Sequence, residues 1–139
     1  MLRFLVADDY EIVRRGLKQI LVEEFPDVEV IEATNTSDLL EKALNGHWDF
    51  IITDIVMPGG NGLDAMKRIK LHRASLPILV ISTYPEEQYS SYVITLGADG
   101  YLTKNTLPEQ LTDAVHHILS GKKYISKDLL SGSEQNNLS

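Results

Sequence analysis

Phe50-Ile51-Ile52-Thr53-Asp54-Ile55-Val56-Met57-Pro58-Gly59-Gly60 decides the fold. A short apolar run that stops at a Pro/Gly-rich break reads as a buried strand entering a loop. Asp54 then stands at the carboxyl end of a core strand, where open α/β sheets place their ligand crevice. A carboxylate there is poorly solvated unless a cation or a donor pairs with it. The amino-terminal run Leu2–Ala7 repeats the pattern and ends in Asp8-Asp9. Three acidic side chains at one sheet edge favour a hard cation.

Outward from these runs, apolar strands alternate with segments of helical period. Ile12, Val13, Leu17, Ile20 and Leu21 form one helical face, and Phe25-Pro26-Asp27 stops it. Val28–Ala33 is a weaker strand near an edge, and Thr36 or Ser37 caps a helix through Leu39, Leu40, Ala43 and Leu44 up to Gly46. Phe50–Asp54 is the central strand, Leu63–His72 a helix, and Ile78–Ser82 the strongest β segment after Pro77. A helix over 86–96 closes at Gly97, Gly100–Thr103 is a short strand, and Leu107 opens a last helix with Leu111, Ala114, Val115, Ile118 and Leu119 inward. Five βα units in series predict an α/β fold, a parallel sheet with helices on both faces. From Tyr124 the chain turns polar, so 124–139 reads as a linker or tail.

The 139 residues suit one domain. A formal charge of −7 argues against a nucleic-acid surface within this chain and against an anionic membrane partner. With no cysteine, disulfides, zinc thiolates and thiol nucleophiles are excluded. The amino terminus lacks signal-peptide architecture and no apolar stretch spans a bilayer, so a cytoplasmic protein is expected.

A parallel sheet brings Asp8, Asp9, Asp54, Ser82, Thr83 and Lys104 to one end. Taken singly, an Asp pair caps a helix, a Ser closes a turn and a Lys is solvated. Four βα units delivering them to one crevice point to phosphoryl transfer. Asp9 and Asp54 bind Mg2+ directly, Asp8 acts through a water, and the Val56 carbonyl supplies one more oxygen. An Asp54 oxygen then attacks a phosphoryl donor, while Lys104, the Ser82 hydroxyl and a loop N–H receive the oxygens of the transferred group.

These residues resemble the response-regulator receiver domain over residues 1–123. The matching pieces are V-A-D-D (6–9), I-I-T-D-I-V-M-P-G-G-N-G-L (51–63), P-I-L-V-I-S (77–82) and G-A-D-G-Y-L-T-K (97–104). The resemblance implies a flavodoxin-like doubly wound sheet of order 2-1-3-4-5. It implies a sensor histidine kinase as phosphodonor to Asp54, with Mg2+ held by Asp8, Asp9, Asp54 and the Val56 carbonyl. Ser82 and Tyr101 would be a switch pair with Thr83 beside them, although Tyr101 also fits plain packing on a strand. D-D-Y-E-I-V-R-R-G-L (8–17) and S-G-K-K-Y-I-S (120–126) are similar to NarL/FixJ-type regulators. That subtype implies a helix-turn-helix DNA-binding domain after the linker, DNA contact only through it, and a homodimer on phosphorylation. Arg14, Arg15 and Lys18 are the candidates for kinase contact.

Two departures from the pattern stand out. Asn105 follows Lys104 where many receivers have Pro, and Val56 replaces a polar residue, with the bulk of Tyr84 nearby. Slow loss of the phosphoryl group is the expectation. Two other classes fit less well. A haloacid-dehalogenase-type phosphatase needs a second Asp where Val56 stands. A nucleotide- or flavin-binding module needs a Gly-rich loop where Asp8-Asp9 stand. A stand-alone receiver that docks to a protein remains a third reading.

Overall fold

The computed structural model describes residues 1–84 and 86–125. The strands are β1 (Arg3–Ala7), β2 (Glu29–Ala33), β3 (Phe50–Asp54), β4 (Ile78–Ser82) and β5 (Gly100–Thr103). The helices are α1 (Glu11–Glu24), α2 (Thr36–Leu44), α3 (Gly62–His72), α4 (Glu86–Thr95) and α5 (Leu107–Leu119), with a 3-10 turn over Lys104–Thr106. All pairings are parallel and the order is β2-β1-β3-β4-β5, as expected. The order reverses between β1 and β3, so their carboxyl ends flank the crevice of the sheet.

Alternation along the strands feeds two cores. Leu5, Ala7, Ile51, Ile78, Val80 and Tyr101 face α2, α3 and α4, meeting Leu39, Ala43, Met66, Ile69 and Val93. Phe4, Val6, Phe50, Ile52, Leu79 and Ile81 face α1 and α5, meeting Leu17, Leu21, Leu111, Ala114, Val115 and Ile118. Burial of the strands on both faces explains their unbroken apolar runs.

Several expected details change. Ile12 is 80% exposed, because the buried stripe of α1 runs through Leu17 and Leu21 and Ile12 lies off it. Leu119 is also exposed, at the last turn of α5. Asn35 caps α2, its Oδ1 accepting from Asp38 N at 2.8 Å. Thr36 and Ser37 instead tie down the loop after β3: Thr36 N donates to Pro58 O and Ser37 Oγ to Gly59 O, both at 2.8 Å. That loop needs glycine at 59 and 60, where φ is +91° and +134°. It also needs Gly62 at the start of α3, since a Cβ there would collide with the Ile55 carbonyl.

Past α5 the chain returns to the sheet. Tyr124 N donates to Asp99 O at 2.9 Å and Tyr101 N donates to Tyr124 O at 3.1 Å, a parallel bridge along β5. The expected boundary at 123/124 lies directly before this bridging residue, and 126–139 of the expected tail lies outside the described residues.

Candidate functional site

Asp8 directly follows β1 and Asp54 ends β3, each one residue past the last pair of the two strands, Ala7 and Thr53, and both are buried. Each is oriented by its own backbone. Asp8 Oδ1 accepts from Tyr10 N and Asp54 Oδ1 accepts from Val56 N, both at 2.9 Å, so each carboxylate closes a turn onto the N–H two residues ahead. Their second oxygens converge on one cation: Lys104 Nζ is 2.7 Å from Asp8 Oδ2 and 2.7 Å from Asp54 Oδ2. Lys104 begins the 3-10 turn after β5, which projects it back over the strand ends. Its side chain is only 13% exposed, and its ammonium lies 5.4 Å from the centre of the Tyr10 ring.

Burial pushes the Asp8 carboxyl above its ordinary range, an effect that Lys104 and the Tyr10 N–H only partly offset. For Lys104, burial is the largest influence and lowers the pKa, but hydrogen bonding and charge from Asp54 and Asp8 outweigh it and the net shift is upward. The pair of acids therefore keeps its counter-charge well into the alkaline range.

Asp9 is exposed at the mouth, and carboxylate oxygens of Asp8, Asp9 and Asp54 lie within 4.8 Å of one another. Asp8 Oδ2 is fully enclosed, with the Lys104 ammonium at 2.7 Å and no further donor on it among the described residues. A buried acceptor in that state, among three carboxylates, fits a hard divalent cation that keeps several waters.

Of the other expected residues, Val56 gives its N–H to Asp54, and Ser82, Thr83 and Tyr101 stand on the β4–β5 side of the cluster. Ser82 is fully buried at the end of β4, one position beyond the partner of Asp54 in the register. Its Oγ accepts from Tyr84 N at 3.1 Å, which leaves its own proton to donate elsewhere. Thr83 faces solvent. Tyr101 is fully buried among the core residues facing α4, and its hydroxyl donates to Tyr84 O at 2.9 Å. Val56 is 54% exposed and Tyr84 41% exposed, so both flank the crevice with apolar surface.

Sequence reasoning missed Tyr10, whose N–H and ring serve Asp8 and Lys104, and it misplaced Arg14. The Arg14 guanidinium is not free for a partner: it donates to Asp8 O at 2.8 Å and to Glu32 Oε1 at 2.9 Å. The signal was present, because Arg14 falls one turn before Leu17 and two before Leu21, on the buried stripe. Arg15 and Lys18 are exposed, as expected.

Among the described residues, no helix is long and apolar enough to cross a membrane. The family model for the response regulator receiver domain matches residues 4–116. The response regulator UvrY of Escherichia coli K12 is 32% identical over 130 residues, covering 93% of this chain and 59% of UvrY. The nitrate/nitrite response regulator NarL of the same strain is 36% identical over 126 residues, covering 90% of this chain and 58% of NarL. The chain thus spans just under three fifths of these relatives. Among solved structures, a LuxR-family two-component response regulator from Aurantimonas sp. SI85-9A1 superposes with TM-score 0.85 at 26% identity, covering 99% of this chain and 98% of that one. The non-phosphorylated receiver domain of Escherichia coli RcsB does so with TM-score 0.81 at 30% identity, covering 91% and 98%.

Proposed function

The chain belongs to the response regulator receiver family, of the NarL/LuxR kind, and on that footing we propose that Asp54 is its phosphoacceptor. The observation that carries this reading is the shared ammonium: Asp8 and Asp54, buried at adjacent strand ends, both lie 2.7 Å from Lys104, with Asp9 completing the acid cluster.

Asp8, Asp9, Asp54 and the Val56 carbonyl hold Mg2+, which supplies charge neutralisation for the acids and for an incoming phosphoryl group. The Val56 N–H fixes one oxygen of Asp54, so the other is the nucleophile. It attacks phosphorus of a phosphohistidine on a sensor kinase. The oxygen–phosphorus bond forms as the nitrogen–phosphorus bond breaks, and the leaving imidazole takes up a proton from water. Lys104 needs only a small shift from the Asp54 oxygen to a phosphoryl oxygen. Ser82 donates its free proton to a second one and draws the chain at Tyr84 with it, since Tyr84 N is bonded to its hydroxyl. Tyr101 holds the carbonyl of the same residue, so Ser82 and Tyr101 grip the two peptide units that flank Tyr84, with exposed Thr83 next to Ser82.

Val56 offers no polar side chain to orient water, and Tyr84 adds apolar bulk at the rim, so the aspartyl phosphate hydrolyses slowly. Val56→Asn speeds the loss of label in a dephosphorylation time course; an unchanged rate removes that reading. In the whole regulator the phosphorylated domain drives dimerisation and DNA binding through a carboxyl-terminal domain, in the cytoplasm.

The central test is incubation with Mg2+ and a small phosphoryl donor, read by intact mass. Wild type gains one phosphate and Asp54→Ala gains none. An adduct on the Ala variant, or none on wild type, refutes the assignment.

A further inference from the structure

We propose that Arg14 is a positioning residue for the divalent-cation site: it fixes the backbone that carries Asp8 and Asp9. This rests on reading the carboxylate cluster as a Mg2+ site.

The segment between β1 and α1 bears two of the three clustered acids but is short of internal support. Asp9 and Tyr10 are exposed, and α1 begins without a side-chain cap. Two contacts hold it to β2. Asp8 N donates to Ala33 O at 3.2 Å, at the very end of the β1–β2 pairing. Arg14 supplies the other from the first turns of α1, with Nη1 on Asp8 O at 2.8 Å and Nε on Glu32 Oε1 at 2.9 Å. The guanidinium thus spans helix, acid loop and neighbouring strand. Its side chain is 13% exposed, far less than a solvated surface charge.

The fork geometry matters. Arg presents donors on a rigid plane and serves two acceptors at once, whereas a Lys ammonium is a point charge on a flexible stem. Partners that orient metal ligands typically change metal affinity by about 10–100-fold when removed. Here the orientation acts on the backbone of Asp8, whose enclosed Oδ2 faces the cluster and the Lys104 ammonium.

Through-space charge makes the opposite prediction. Arg14 is a cation near a cation site, so neutralising it without disturbing the loop tightens binding, and Arg14→Lys leaves binding unchanged. Positioning predicts weaker binding in both variants, so the sign discriminates.

The experiment is calorimetric titration of the chain with Mg2+ alone. It is paired with amide hydrogen exchange of the metal-free protein at Tyr10, whose N–H is bonded to Asp8 Oδ1. Expected are about tenfold weaker Mg2+ binding in Arg14→Gln and Arg14→Lys, with faster exchange at Tyr10 in both. Equal or tighter binding, with Tyr10 exchange unchanged, overturns the proposal. If Arg14→Gln fails to fold, Arg14→Lys keeps the charge and decides between the same outcomes. Failure of wild type to bind Mg2+ would instead defeat the reading of the cluster, and Tyr10 exchange would still judge whether Arg14 holds the loop.

Discussion

The two walls of the acidic crevice are built to different standards. On the β1–α1 side, Asp8, Tyr10, Arg14 and Glu32 form a mesh in which acid, loop and neighbouring strand are cross-bonded. On the β4–α4 side, the backbone of one residue, Tyr84, links Ser82 to Tyr101, and the helix beyond it is built from weaker helix formers. Ser90, Ser91, Val93, Ile94 and Thr95 in α4 are poorer helix formers than Leu and Ala, which recur in α5. α5 buries Leu107, Leu111, Ala114, Val115 and Ile118 against the sheet, whereas among the described residues of α4 Val93 is buried in the core and Tyr89 and Ile94 pack against it half-buried. A site that must hold ligands in fixed geometry and also report a new charge benefits from that division. In the proposed function the cross-bonded wall carries the chemistry, and the wall with fewer bonds is the one that repacks.

The largest break in this comparison comes from removing the cation that both acids share. Lys104→Ala leaves two buried carboxylates facing each other and takes away the counter-charge for the transferred group. Phosphorylation of Asp54 by a small donor is expected to slow by about 10²–10³-fold, the usual effect of losing one preorganised electrostatic donor. Initial rates by intact mass measure it. A loss below tenfold would mean that the carboxylates and their metal suffice, and that Lys104 belongs with the reporting wall.

Tyr101→Phe tests the other wall. It removes the hydrogen bond to Tyr84 O and keeps the ring in its core site, so it costs about 1 kcal/mol of stability. The freed carbonyl belongs to a partly exposed residue and can take a water in exchange. Phosphorylation rate and Mg2+ affinity are expected to stay within twofold of wild type. Denaturant midpoints and the same titration check both, and a tenfold fall in Mg2+ affinity would show that the walls are not separable.

What the sequence made legible follows the same division. β3 runs from just after Asp49 to Asp54, β4 starts directly after Pro77 and β5 starts at Gly100, because burial on both faces leaves no ambiguity of period. Asp8, Asp54 and Lys104 were found because the end of a buried strand is a place that chain order alone can assign. Arg14 was misread as a surface charge because its partners, Glu32 and the Asp8 carbonyl, come from pairing β1 with β2, and a charged residue on an apolar stripe is usually discounted. Ile12 failed in the other direction. Its apolar character suggested the core, yet the stripe set by Leu17 and Leu21 turns it to solvent. Which way Tyr101 points was beyond sequence reading, since its hydroxyl partner, the Tyr84 carbonyl, lies in a loop that only the fold brings to β5.

The smallest effect is expected at Thr83, and it is informative for that reason. Thr83 follows Ser82 directly, and either hydroxyl could serve a phosphoryl oxygen if spacing alone decided. The structure separates them: Ser82 is fully buried at the strand end with its oxygen on Tyr84 N, whereas Thr83 faces solvent. Thr83→Ala should therefore change stability by less than about 0.5 kcal/mol, as for surface substitutions generally, and should leave the lifetime of the aspartyl phosphate within twofold. Ser82→Ala strips the acceptor from Tyr84 N and the donor from the phosphoryl group together, so it weakens the wall and the response in one step. Measuring both lifetimes in parallel sharpens the comparison: if Thr83→Ala shortens the lifetime as much as Ser82→Ala does, the exposed hydroxyl swings inward on phosphorylation and the reporting wall moves further than its resting bonds suggest.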